Sequence, residues 1–394
     1  MTNTTSLGIR RLEAIHYFVH DLDRSRRFYT SGLDFLETGG SGDELTARGG
    51  QRSLVFEAGL CRVICSTPAG QEGGGGARGR AYRYLQRHPA GVGSLVFEVD
   101  DIQHTLSLLE VRGGTPTGDV VSTDGPQGRF KTFAITTPFG DTTFRFVERE
   151  GKFPLYPGFD VRAPNSAPHN SPGNSLGFLQ FDHVTANFET LAPALLWMEH
   201  VLGFKRFWDI AFHTDEVERR ENHEGSGLKS VVMWDPESGV KFANNEPRRP
   251  SFRASQIHIF HEENRGDGVQ HVALAVGDVV NAVRGLRQRG IEFMATPPTY
   301  FAALPQRLRT LRIGQLAESL SDLEQLEILV DGDGPGRYLL QIFLKDAARL
   351  YGNAEAGPFF YELIQRCGDS GFGAGNFRAL FESIERDQVA QGKA

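Results

Sequence analysis

The sequence predicts an α+β protein built from four βαβββ modules, two in each half of the chain, with one further helix at the C-terminus. Three observations predict it. One layout of apolar strand, Asp- or Asn-containing turn, amphipathic helix and glycine recurs four times. Strand-like stretches follow each predicted helix. A segment rich in Pro, Asn and Ser separates the second copy from the third.

The four copies run in order. The first is Leu12–Glu37, LEAIHYFVHDLDRSRRFYTSGLDFLE, and the second is Gly91–Pro116, GVGSLVFEVDDIQHTLSLLEVRGGTP. The third is Leu179–Phe207, LQFDHVTANFETLAPALLWMEHVLGFKRF, and the fourth is Gly268–Phe293, GVQHVALAVGDVVNAVRGLRQRGIEF. In the fourth, Asp278 can cap a helix, Val279, Val283 and Leu286 share one helical face, and Gly290 ends it. Stretches such as SLVFEAGLCRVICS and TFAITTPFGDTTFRFVE then supply the strands. The domain organisation that follows is residues 1–158, a linker at 159–177, and residues 178–394. At the C-terminus, Asn376 is placed to cap a helix over about 376–389, because Phe377, Leu380, Phe381 and Ile384 fall on one face. Gly371, Gly373 and Gly375 precede it as a hinge.

Bulk properties exclude several classes. With 394 residues the chain can bury a large core in two domains. A net charge of -7 gives no general attraction to nucleic acid or to an anionic membrane. No apolar run reaches membrane-spanning length, and the first residues lack a signal-peptide core, so a cytoplasmic protein is expected. Three cysteines, Cys61, Cys65 and Cys367, are too few and odd in number for a disulfide framework. Cys61 and Cys65 have no second pair and are read as core. The four glycines Gly73–Gly76 are read as a surface loop.

This repeated unit resembles the vicinal-oxygen-chelate superfamily, in which paired βαβββ modules close a half-barrel around a metal. The resemblance covers nearly the whole chain and implies the fold, not a function, since metal-free binding proteins share it.

Comparing the copies with one another locates the chemistry. His16 in LEAIH matches His183 in LQFDH, Ser94 in GVGS matches His271 in GVQH, and Arg145 in TFRFVER matches Glu362 in FYELIQR. The second half thus carries His, His and Glu; the first carries an arginine, which cannot ligate a cation. One live metal site and one decayed copy are expected. His183, His271 and Glu362 are separated by 88 and 91 residues, too far for one helix, and each falls on a strand of a different module. Two imidazoles and one carboxylate with open positions suit Fe(II), though Zn(II) tolerates the same ligands. His16, His20, His88, His104 and His213 are read as structural; His258 and His261 have no repeat partner.

The second half is similar to the 4-hydroxyphenylpyruvate dioxygenase family. The matching stretches, in order, are FDHV (181–184), SGLKS (226–230), NEP (245–247), SQI (255–257), GVQHVAL (268–274), PPTY (297–300), ILVD (328–331), LLQIF (339–343), FYELIQR (360–366) and GFGAGNF (371–377). PGF at 157–159 also fits. The resemblance implies Fe(II) on His183, His271 and Glu362. It implies substrate contacts from Ser230, Asn245, Gln256, Gln270, Gln341 and Asn376, an aromatic wall of Phe343, Phe372 and Phe377, and a covering C-terminal helix beginning at Asn376. The implied partners are 4-hydroxyphenylpyruvate and O2, in a homodimer or homotetramer. The implied reaction is oxidative decarboxylation of the 2-oxo acid and oxygenation of the ring carbon bearing the side chain, giving homogentisate in tyrosine catabolism. Asn245 and Phe377 fit this family better than the related 4-hydroxymandelate synthases, while Ala243 and Ser370 depart from its usual Pro and Gly. An extradiol catechol dioxygenase, with His258 as its acid–base group, is a third expectation. A metal-free binding protein is a fourth, disfavoured by the intact triad.

Overall fold

A computed structural model describes residues 5–69, 79–126, 128–151, 155–162, 173–213, 227–249, 252–373 and 375–376. The first half contains β1 (Ile9–Phe18), β2 (Leu36–Ser41), β3 (Gln51–Ala58), β4 (Cys61–Pro68), β5 (Gly91–Val99), β6 (Val121–Gly125), β7 (Gly128–Ile135), β8 (Thr143–Gly151) and β9 (Phe159–Val161). The second contains β10 (Phe178–Asn187), β11 (Lys205–His213), β12 (Gly227–Trp234), β13 (Lys241–Pro247), β14 (Gly268–Val276), β15 (Leu329–Gly334), β16 (Arg337–Phe343) and β17 (Phe360–Cys367).

Each half is one sheet, ordered β6-β7-β8-β5-β1-β4-β3-β2-β9 and β11-β12-β13-β10-β14-β17-β16-β15. All four modules read βαβββ, as the sequence predicts. Their helices start at Leu22, Ile102, Ala192 and Val279. The last is capped by Asp278, which accepts from Asn281 N at 3.0 Å, and Gly290 beyond it takes φ +80. The fourth module also inserts helices at Pro298–Thr310 and Leu320–Leu326 before β15. No helix among the described residues is long and apolar enough to cross a membrane.

The expected linker begins late: Phe159–Val161 pairs with β2 and extends the edge of the first sheet, satisfying backbone groups that β2 would otherwise leave open. Gly73–Gly76 lies outside the described residues.

Strand alternation sorts the two faces of each sheet. Ile15 and Tyr17 of β1, with Val184 and Ala186 of β10, enter one core shared by both halves. Phe242 meets Phe139 and Phe144 there, at ring separations of 5.7 and 5.6 Å. Tyr29 and Tyr361 share a hydroxyl–hydroxyl bond of 2.9 Å across the halves. Cys61 and Cys65 are unpaired members of that core, as expected. The alternate residues Ala14 and His16, and His183 and Thr185, face the opposite way, into the concavity of each sheet.

Pairing registers correct one repeat equivalence. His183 lies opposite Ala273 and Thr185 opposite His271, with irregularities between Phe181 and His183 and between Thr185 and Ala186. In the first sheet Ala14 lies opposite Val96 and His16 opposite Ser94, with irregularities between Leu12 and Ala14 and between His16 and Tyr17. The counterpart of His183 is therefore Ala14, not His16, whose counterpart is Thr185. Ser94 with His271 and Arg145 with Glu362 stand as matched, because Val96 pairs with Arg145 as Ala273 pairs with Glu362. Matching histidine to histidine by sequence slipped the alignment by one pleat period, which preserves the face and so leaves no trace in the hydrophobic pattern.

Candidate metal centre

The second sheet's two central strands and their neighbour β17 bring His183, His271 and Glu362 together, each on its own strand; His271 on β14 and Glu362 on β17 belong to one module, not to different ones as the sequence suggests. One ligand atom from each lies within 4.8 Å of the others, and all three residues are buried. Glu362 Oε2 stands 3.3 Å from His183 Nε2 and 3.4 Å from His271 Nε2. Two ring nitrogens and one carboxylate oxygen thus converge on one point, as a divalent cation requires.

The ligands are themselves held. His183 Nδ1 donates to Asp182 Oδ1 at 2.8 Å, and Arg366 clamps the same carboxylate from Nε and Nη2 at 2.6 and 2.7 Å. His271 Nδ1 donates to Gln270 Oε1 at 3.1 Å. Each bond puts the ring proton on Nδ1 and leaves Nε2 for a metal. Gln341 Nε2 donates to Glu362 Oε1 at 2.8 Å, so one carboxylate oxygen is committed and the other faces the imidazoles.

Charge is poised accordingly. Burial opposes ionisation of Glu362, but His183 and His271 outweigh it and bring its pKa to about 2. At His183 burial is likewise outweighed, by Glu362 and Asp182, and the pKa rises to about 9. At His271 burial prevails over Glu362, and the pKa falls. The site therefore carries an anionic carboxylate and an imidazole that takes a proton where no metal sits.

The expected polar residues sort by what they touch. Asn376 Nδ2 donates to Gln341 Oε1 at 2.9 Å, and Tyr300 OH donates to Asn376 Oδ1 at 2.8 Å. The helix that Asn376 is expected to cap lies outside the described residues; within them its side chain bonds Gln341, which in turn bonds Glu362. Gly373 at φ +63 allows the close pass, since a Cβ there would lie 2.7 Å from Gln341 Oε1. Asn245 Nδ2 donates to Asn187 Oδ1 at 3.0 Å. Ser230 Oγ, Asn245 Oδ1, Asn187 Nδ2 and Thr185 Oγ1 are buried with no hydrogen-bond partner among the described residues. Such orphaned groups, side by side on β10, β12 and β13, are what a polar ligand would satisfy. Gln256 is buried at the first position of the helix Gln256–Asn264.

Aromatic rings enclose the centre. Phe372 packs against His183 at 4.9 Å, Phe360 stacks on His271 at 4.7 Å, and Phe343 meets His271 edge-on at 6.1 Å. Phe372 also packs with Ala243 and Val232. Phe377 and the rest of the expected terminal helix lie outside the described residues. His258 is paired with Glu262 at 3.4 Å and packs on Phe252.

Sequence reasoning missed Asp182, Asn187, Tyr300 and Arg366. Three of them lie inside stretches it singled out, FDHV, PPTY and FYELIQR, so the signal was present without a role. Asn187 has only its alternation with His183 and Thr185 on β10 to mark it.

A family model for the Glyoxalase/Bleomycin resistance protein/Dioxygenase superfamily matches residues 11–142 and 180–304. The 4-hydroxyphenylpyruvate dioxygenase of Dictyostelium discoideum is 36% identical over 78% of this chain and 81% of its own length. That of Yarrowia lipolytica is 32% identical over 99% of this chain and 95% of its own. Among solved structures, a triple mutant of 4-hydroxymandelate synthase from Streptomyces coelicolor superposes with a TM-score of 0.77, covering 97% of this chain and 99% of that one at 23% identity. That likeness speaks to the fold.

Proposed function

The chain belongs to the Glyoxalase/Bleomycin resistance protein/Dioxygenase superfamily and, within it, to the 4-hydroxyphenylpyruvate dioxygenases, and from that membership we propose its reaction and the residues that carry it. It is a metal-dependent dioxygenase that converts 4-hydroxyphenylpyruvate and O2 to homogentisate and CO2. The observation that carries this beyond the family is the buried His183–His271–Glu362 cluster.

The residues present fit Fe(II). The donor set is two neutral-nitrogen ligands and one carboxylate, and unpartnered polar atoms sit beside it for a substrate. His183, His271 and Glu362 would hold the ion, which when bound supplies the redox chemistry that activates O2. Asp182 and Gln270 fix the imidazoles, and Gln341 fixes the carboxylate. Ser230, Asn245, Asn187 and Gln256 offer hydrogen bonds to a substrate with a phenol at one end and a 2-oxo acid at the other. Gln341 and Asn376 complete that polar lining. Phe343, Phe360 and Phe372 exclude water from the reacting centre, and Phe377 would extend the wall. The catalytic unit in this proposal is residues 178–394, and residues 1–158 form a domain without metal. A cytoplasmic homodimer or homotetramer belongs to the same proposal.

The test is anaerobic loading with Fe(II), aerobic turnover of 4-hydroxyphenylpyruvate, and identification of the product by mass and retention time, with Glu362→Ala alongside. Homogentisate from the native chain and none from the variant is the expected result. 4-Hydroxymandelate as main product would keep the metal site and move the oxygenation from ring to side chain. Iron bound without turnover would overturn the substrate.

A further inference from the structure

The concave face of the first sheet, which carries Ala14, Ser94 and Arg145 where the second carries His183, His271 and Glu362, holds a cavity of about 480 Å³. That is room for a small organic molecule. Its polar lining is cationic: Arg145 from β8, Arg80 from the helix Arg80–Leu85 and, at the exposed rim, Arg48, which pairs with Glu44, with neutral groups from His16, Gln51, Ser53 and Thr132. No Asp or Glu is among the described residues that line it.

Neither Arg145 nor Arg80 is matched by a carboxylate among the described residues. Arg145 Nη1 donates to Thr132 Oγ1 at 3.3 Å. Arg80 Nη2 donates to the carbonyls of Gly93 and Asp141 at 2.7 and 2.8 Å, and its Nε is buried without a partner. Burial disfavours the charge on both: the pKa of Arg145 is lowered by burial, and that of Arg80 by burial and then by Arg145, with Asp141 acting the other way. Between them His16 is held neutral, bonded to Ser66 Oγ at 2.7 Å. Two half-buried arginines facing one cavity without a carboxylate partner among the described residues are costly unless an anion satisfies them. The rest of the wall is apolar and aromatic, including Ile64, Val96, Phe130 and Phe159.

The position of Arg145 gives the logic. It occupies the register of Glu362, so in this half a fixed cation from the protein stands where the other half assembles anionic and neutral donors for a metal. We propose that the first sheet's concavity is a second, metal-free binding site for a small aromatic carboxylate, held by Arg145 and Arg80 with its ring against Ile64, Val96, Phe130 and Phe159. A bidentate guanidinium–carboxylate pair fits a planar carboxylate better than a phosphate dianion, whose remaining oxygens would face hydrocarbon.

The test is hydrogen–deuterium exchange, read peptide by peptide, on the full-length metal-loaded protein with phenylacetate as probe. Phenylacetamide and inorganic phosphate are the comparison ligands. The expected result is protection of β1, β5 and β8 by phenylacetate and by neither comparison ligand. Calorimetric titration of Arg145→Met should show that the first-sheet affinity falls about tenfold or more, as expected for a lost charge-assisted pair. Protection confined to the second sheet would overturn the proposal, as would equal protection by phenylacetamide or phosphate, or unchanged binding in the variant. The exchange experiment needs no substitution, so it decides the matter even where Arg145→Met does not fold. It is also independent of turnover at the metal centre.

Discussion

Arg366 grips Asp182 through two hydrogen bonds of 2.6 and 2.7 Å across 184 residues of sequence, and Asp182 in turn orients His183. Burial opposes charge on Asp182, yet Arg366 and His183 hold its pKa well below the usual carboxylate range. The pair therefore stays ionised and keeps the His183 proton on Nδ1. Asp182→Asn and Arg366→Met are expected to weaken metal binding 10–100-fold, roughly the usual effect of losing such a supporting group. Competition against a chromophoric chelator reads this directly. Wild-type affinity in both variants would show that the relay does not tune the metal.

Metal should stabilise the fold. Glu362 and both histidines are buried together, and binding a cation there favours only the folded chain. Free metal at about a hundred times its Kd should add about 2.7 kcal/mol, seen as a higher Tm under anaerobic conditions. His271→Ala should lose that gain. A metal-induced rise in Tm of equal size in His271→Ala would place the bound ion elsewhere.

Ser230 and Asn245 face each other across β12 and β13, each with a buried oxygen that lacks a partner among the described residues. Ser230→Ala removes a hydroxyl with no partner among the described residues, so stability should change by less than one net hydrogen bond, about 0.5 kcal/mol. Substrate binding should suffer instead, with kcat/KM for 4-hydroxyphenylpyruvate falling about tenfold, the size of one lost hydrogen bond. A large loss of stability with unchanged kcat/KM would make Ser230 a structural residue.

His16 makes the fold acid-sensitive. Burial first, then Arg145 and Arg80, push its pKa down to about 3, against about 6.5 when unfolded. Between those values the unfolded chain binds the extra proton. Its contribution is therefore complete above about pH 6.5 and is lost as pH falls toward about 3, on the order of 1 kcal/mol per pH unit. His16→Gln should flatten this part of the curve in urea titrations at about pH 7.5, 6.5 and 5.5. Parallel curves for the two proteins would refute the assignment.

Local pattern and internal repetition determined the module, its fourfold use, the alternation that turns His183 and His271 inward, and the singling out of Glu362 rather than Arg145 as a residue that could join them at a metal. These are properties of period and residue type, which a linear chain carries openly. Tertiary structure decided what depends on register and long-range approach. Bulges in β1 and β10 make Ala14, not His16, the counterpart of His183, because a slip of two residues keeps every side chain on its own face. The bond from Asn376 to Gln341 and the clamp of Arg366 on Asp182 join segments whose spacing no local rule fixes. The cationic concavity of the first half likewise exists only because β8 and the helix after β4 deliver Arg145 and Arg80 to one space, where desolvation disfavours the charge on both.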